Sequence, residues 1–184
     1  MSTVPTRQPL PNEGEVRVWD PFVRLFHWSL VTCVVLNQWI LEDGEGAHEW
    51  VGYVASALVA ARIVWGFVGT HHARFANFFP TPRRLGAHLG ALREGRWPHH
   101  DGHNPLGALM MLALMAIVLA LGLTGWMQTT DRWFGEEWLM ELHEVLADGL
   151  LIAAGVHAAA ALLMGRLERV NLVRAMITGR KRHY

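Results

Sequence analysis

Eleven histidines stand in 184 residues, and four of them, His27, His48, His143 and His157, fall in or at the ends of long apolar runs. Ionisable side chains in such runs are costly in lipid and are usually functional. His143 and His157 are 14 positions apart, about 21 Å along a helix. Fourteen positions are also two heptads, so both imidazoles leave nearly the same helix face. One helix can therefore offer a nitrogen to each of two sites stacked across a bilayer. His27 would face His157 at one level, and His48 would face His143 at the other. Two imidazoles are too few for zinc, which takes four ligands or three and a water. Haem iron brings four equatorial nitrogens, and two axial histidines complete its coordination. The single cysteine, Cys33, excludes a CxxCH attachment and an internal disulfide. The expectation is two haem b groups, held without covalent links.

Each of these residues also has a plainer reading. A lone interfacial histidine is more often solvated or hydrogen-bonded than a ligand; four at matched depths require the coincidence twice. Arg62 has two readings of equal weight, a side chain snorkelling to the interface or a partner for a haem propionate. Asn37, Gln38 and Asp148 read as packing polars rather than a proton or quinone path, and Cys33 as an inert small side chain. His71, His72, His88, His99, His100 and His103 read as solvated loop residues, because their spacing matches no standard zinc site. Met110, Met111 and Met115 read as packing. A porphyrin slot needs close backbone approach, for which Gly52, Gly66, Gly122, Gly125, Gly149 and Gly155 are candidates.

The elements that must hold these side chains are membrane helices. Hydrophobic residues make up 52% of the chain and charged residues 17%, against about 25% charge in soluble domains. Four stretches approach the roughly 20 apolar residues of a spanning helix: residues 23–41, 50–68, 105–130 and 143–164. Residues 1–22 read as a cytoplasmic tail, 70–103 as one long loop and 165–184 as a basic cytoplasmic tail. The first span lacks the cleavage site of a signal peptide and is expected to stay in the membrane. Fourteen of the 16 Lys and Arg residues fall in the tails, in the long loop or, for Arg24, at the start of the first span, and this bias sets topology. The facing loops hold Glu42, Asp43, Glu45 and Glu49, then Asp131, Glu136, Glu137 and Glu141. Trp39, Trp50, Trp126, Trp133 and Trp138 would form an aromatic belt there. The expected fold is all-α: an integral membrane four-helix bundle with both termini cytoplasmic. A formal net charge of zero argues against nucleic acid as a partner.

At these residues the chain resembles the bacterial cytochrome b561 family, four-helix di-haem membrane cytochromes, and the related b-type cytochrome subunit of nickel–iron hydrogenases. The resemblance is carried by WDPFVRLFHW (19–28), AHEWVGYVASALVAARIVWGFVG (47–69), HARF (72–75), GHNPLGALM (102–110), LHEVLADGLL (142–151), GVHAAAALL (155–163) and NLVRAMITGRKR (171–182). It implies His27, His48, His143 and His157 as axial ligands. It also implies a bacterial inner-membrane, multi-pass electron carrier between the quinone pool, ubiquinone or menaquinone, and a periplasmic redox protein such as a c-type cytochrome. The hydrogenase cytochrome carries extra polar segments that this chain lacks, which favours the stand-alone or small-cytochrome-linked branch. Two alternatives stay open: a superoxide oxidase that reduces quinone, and a membrane anchor subunit of a hydrogenase or dehydrogenase. An electron carrier is favoured over an enzyme, because bis-histidine iron has no vacant position for oxygen. The acidic outer loops would also repel superoxide.

Overall fold

The computed structural model describes residues 15–96, 104–168 and 170–182. Arg7, His99, His100, His103 and Arg169 lie outside the described residues, as does most of the N-terminal tail. In chain order the elements are β1 (Glu15–Arg17), α1 (Pro21–Trp39), α2 (Gly46–Val68), a 3-10 turn (His71–Ala73), α3 (Phe75–Phe78), α4 (Pro82–Arg93), α5 (Pro105–Gln128), α6 (Glu137–Leu167), α7 (Leu172–Thr178) and β2 (Arg180–Arg182).

The helix starts are written in the sequence. Asp20, Thr81 and Asn104 each precede a proline at the first helical position, and their side chains accept from the amides of Val23, Arg84 and Gly107. A capping oxygen satisfies an otherwise orphaned amide, and proline there lacks the N–H that would go unpaired. Asn171 caps α7 in the same way, from the Arg174 amide at 2.7 Å.

Among the described residues, three helices are long and apolar enough to cross a membrane: α2, α5 and α6. The expected four-helix membrane bundle is therefore corrected. The stretch 23–41 forms α1, but Arg24 and His27 near its start and Asn37 and Gln38 near its end leave a short apolar run between them. The assignment of both termini to the cytoplasm, read from the Lys and Arg bias over four spans, is withdrawn with it. The long loop is corrected too, since α3 and α4 lie inside it and α7 inside the basic tail. These helices escape a search for long apolar runs because they are short and, in α4, rich in arginine.

α1 packs along α2, α2 on α5, and α5 on α6. The core between them is Phe26, Cys33, Ala55, Val59, Met115, Val118 and Leu150. Among the described residues, neither α1 nor α2 packs closely along α6. Two glycines permit the tight seams. A Cβ at Gly122 would collide with the Ser56 hydroxyl on α2, and one at Gly66 with the Phe75 ring. Val145, Ile152, Val156, Leu162 and Leu163 of α6 are exposed, as an apolar face turned to lipid must be.

The chain ends meet. β1 pairs antiparallel with β2, Val16 opposite Lys181. The Gly179 carbonyl accepts from the amides of Val18 and Trp19. Gly179 has φ of 81°, and a Cβ there would lie 2.6 Å from the Trp19 carbonyl oxygen, so only glycine closes this corner. Lys181 and Glu168 form a buried ion pair at 3.5 Å.

Asp20 ties this end together. Besides capping α1, it accepts from Trp65 Nε1 at 3.0 Å and from the Thr70 hydroxyl at 2.6 Å. Burial pushes its carboxyl up, but the hydrogen bonds from Thr70, Val23, Trp65 and Phe22 outweigh this and hold it below the ordinary 3.8. A depressed native pKa means stability that is present above the unfolded value and lost as pH falls through the native one. Asp20→Asn should lower stability near neutral pH by about 1–3 kcal/mol, because the amide can still cap α1 but turns an N–H₂ group toward the Trp65 and Thr70 donors. The gap to wild type should close on acidification below 3.8. Thermal unfolding in detergent at several pH values checks both, and a gap that persists in acid would contradict the assignment.

Candidate functional site

The four histidines meet in two pairs across the space between α6 and the helices α1 and α2. His27 of α1 faces His157 of α6 with ring centroids 6.5 Å apart. His48 of α2 faces His143 of α6 at 6.4 Å. The interplanar angles are 51° and 56°. All four rings are partly buried. They reach toward one another from helices that do not otherwise pack closely.

The pairs sit at opposite ends of the fold. His48 and His143 lie near the turns 40–45 and 129–136. His27 and His157 lie toward the end closed by Asp20 and the β pairing. Among the described residues, no three His, Cys, Asp or Glu side chains come together as a metal site. Two facing imidazoles are the recurring unit.

His48 and His143, the pair at the end of the acidic loops and outer in that sense alone, each have an oxygen near Nδ1. His143 Nδ1 lies 2.8 Å from the Thr124 hydroxyl of α5. His48 Nδ1 lies 3.5 Å from the carboxylate of the exposed Asp43. The His143 ring rests on α5 beside Gly125, where an added Cβ would stand 3.4 Å from Cε1. Asn37 at the end of α1 donates to the His48 carbonyl at 3.2 Å, which supports its reading as a packing residue. Asp148 is exposed.

Arg62 does not snorkel. It is 1% exposed, the largest fully buried side chain described. Its Nη2 donates to the Ala73 carbonyl at 3.1 Å, and the guanidinium lies over the Phe75 ring, 5.3 Å from its centroid. Nη1 is buried without a hydrogen-bond partner. A buried cationic nitrogen without an acceptor is expensive, so Nη1 is left with hydrogen-bonding capacity for one more oxygen.

The candidate slot glycines divide. Gly66 and Gly122 are used up in helix packing, against Phe75 and Ser56. Gly52 lies beside Asn37, and Gly125 beside His143. A Cβ at Gly149 or Gly155 of α6 would meet nothing within 4 Å, so these two border open space. Of the loop histidines, His71 and His72 stack edge-on in the 3-10 turn at 5.2 Å. His88 is buried on α4, contrary to a solvated loop residue.

Comparison with known proteins decides the family. The model for prokaryotic cytochrome b561 matches residues 18–179. The chain belongs to the prokaryotic cytochrome b561 family. Relatives include proteins described as "Probable Ni/Fe-hydrogenase B-type cytochrome subunit" from Bradyrhizobium diazoefficiens and Azotobacter vinelandii. The first is 25% identical, with 90% of this chain and 85% of the relative covered. The second is also 25% identical, with 89% and 87% covered. No solved structure matches the chain. Membership of the b561 family, together with three helices able to span, makes this a multi-pass bacterial membrane protein of the electron-transfer, cytochrome-like kind.

Sequence reasoning overlooked Thr124 and Asp20. Thr124 had a signal: it is one of two polar side chains, with Gln128, in an otherwise apolar and uncharged α5. Asp20 is joined to partners 45 and 50 positions away, which no local pattern reveals.

The seam beneath the outer pair can be tested. Gly122→Ala should destabilise the protein by about 1–3 kcal/mol through overpacking against Ser56. The double variant with Ser56→Gly should regain most of it, because the clash needs both partners. Thermal unfolding of the two singles and the double checks this, and additive losses would show that the seam is not where the strain arises.

Proposed function

We propose that this cytochrome b561 relative is a membrane electron carrier with two non-covalent b haems, axially held by His27 with His157 and by His48 with His143. The ring separations carry the reading. Two metal–imidazole bonds of about 2 Å each set the facing nitrogens about 4 Å apart, and the ring centres therefore about 6 Å apart. Rings at 6.5 and 6.4 Å suit one iron between each pair. They are too far apart for a direct hydrogen bond. The separation of α6 from α1 and α2 leaves room for a flat macrocycle. Arg62 Nη1 is suited to a propionate at the end where His27 and His157 lie.

When bound, each haem would supply a one-electron centre, one held by His27 and His157 and the other by His48 and His143. The protein's part is to hold the imidazoles at fixed separation, to bury the pairs in an apolar surround, and to place them at two ends of the helices. Electrons would pass between a periplasmic redox protein, such as a small c-type cytochrome, and ubiquinone or menaquinone in the inner membrane. The exposed acids Glu42, Asp43, Glu45, Asp131, Glu136 and Glu137 surround the His48–His143 end and suit a basic partner.

A second reading, a cytochrome subunit attached to a hydrogenase, is favoured by the names of the relatives. Co-purification from native membranes separates the two: a hydrogenase that travels with the chain supports the second, and a small cytochrome the first.

A pyridine haemochrome assay should return two haems per chain, and one or none would overturn the proposal. His48→Ala and His143→Ala should deplete the same spectral component, with the double variant no worse than either single, since a lost site cannot be lost twice. His27→Ala and His157→Ala should deplete the other. Depletion of one component by both His48→Ala and His157→Ala would refute the pairing.

A further inference from the structure

We infer that Thr124 is a positioning residue that fixes the tautomer of His143 and thereby sets the redox potential of the outer site; this rests on the di-haem reading above. The argument is a proton count. A threonine hydroxyl has one proton and two lone pairs. Thr124 Oγ1 lies 2.9 Å from the Ala120 carbonyl and 3.2 Å from that of Leu121. Both are acceptors, so the hydroxyl proton belongs to one of them. The third contact, His143 Nδ1 at 2.8 Å, must then be supplied with a proton from the ring. His143 is consequently the Nδ1–H tautomer, donating to Thr124, and its Nε2 carries the bare lone pair that a metal needs.

The reverse assignment fails on the same geometry. A hydroxyl that donated to Nδ1 would leave two carbonyl oxygens facing its own oxygen in a buried position. Thr124 is 6% exposed, so water is poorly placed to relieve that repulsion. The glycine at 125 lets the ring lie close to the α5 backbone, and the hydroxyl one position earlier then holds its rotation. Among the four histidines the arrangement is specific to His143. At His48 the nearest oxygen to Nδ1 is a carboxylate 3.5 Å away on an exposed side chain, and His27 Nδ1 is buried without a hydrogen-bond partner.

A hydrogen bond accepted from the distal N–H makes an axial imidazole more basic. A more basic ligand favours ferric over ferrous iron. Removing the acceptor should therefore raise the midpoint potential of the outer site and leave the inner one alone.

The test is an optical redox titration of the intact, haem-loaded protein, with electron paramagnetic resonance of the ferric state. The outer component is identified as the one lost in His48→Ala. Thr124→Val, which keeps the shape and removes the hydroxyl, should move that component to more positive potential and shift its low-spin signal. Thr124→Ser should restore both to wild-type values. Should Thr124→Val fail to accumulate, Thr124→Ala against Thr124→Ser gives the same contrast. An outer potential unmoved by loss of the hydroxyl, or moved equally by serine, would overturn the inference while wild-type haem content stays at two. A wild-type chain that binds no haem would instead overturn the reading beneath it.

Discussion

Everything in this fold depends on keeping α6 apart from α1 and α2 while imidazoles from both sides reach across. Apolar helices in lipid gain by packing closely, so a standing gap between them must be imposed by other contacts. α5 imposes it. It packs on α2 through the Gly122–Ser56 seam and on α6 along its other side, and so sets how far α6 can approach. The two ring separations agree to within 0.1 Å, although they join different helices at opposite ends. A spacing that repeats in this way reflects the scaffold rather than either pair of side chains.

Each end of the gap is closed by polar contacts rather than apolar packing. At one end Asp20 gathers the start of α1, Trp65 of α2 and Thr70, while the buried Lys181–Glu168 pair joins β2 to the end of α6. Buried ion pairs add little net stability, because desolvation offsets attraction, but a broken one is costly. That asymmetry suits a registration device. Sliding α6 against the β pairing would strand two charges, so the height of His157 relative to His27 is held. At the other end Thr124 and Asn37 act on His143 and on the His48 backbone.

What was legible in the sequence follows from which interactions are local. The 14-position spacing on α6 is a periodicity, and the caps before Pro21 and Pro105 are dipeptide patterns, so both can be read without a structure. The spans were harder. α1 has the length of a short span, yet Arg24, His27, Asn37 and Gln38 divide its apolarity, and counting hydrophobic residues overstates it. α4 and α7 lie in arginine-rich stretches and are held by caps and neighbours. Arg62 could not be resolved from sequence because its partners, Ala73 and Phe75, come from the turn after its own helix. Of six glycines offered for one role, the structure gives two to helix packing and leaves two beside open space, and a bare residue type cannot distinguish these uses.

Arg62 shows how far the protein is committed to that open space. Burying a guanidinium costs several kcal/mol unless its hydrogens are matched. Here one nitrogen has the Ala73 carbonyl, the ring of Phe75 faces the cation, and Nη1 has no protein acceptor. Asp20 supplies long-range attraction, but its own lone pairs are engaged by Val23, Phe22, Trp65 and Thr70. A leucine at 62 would pack in the same surround without the desolvation cost. An arginine retained with one hydrogen-bonding nitrogen unspent is best explained by an anionic oxygen that arrives with a ligand. The same end of the fold presents the imidazoles of His27 and His157, 6.5 Å apart between ring centres. Under the di-haem proposal one ligand would meet both features, its metal between the imidazoles and a carboxylate at its rim beside Arg62.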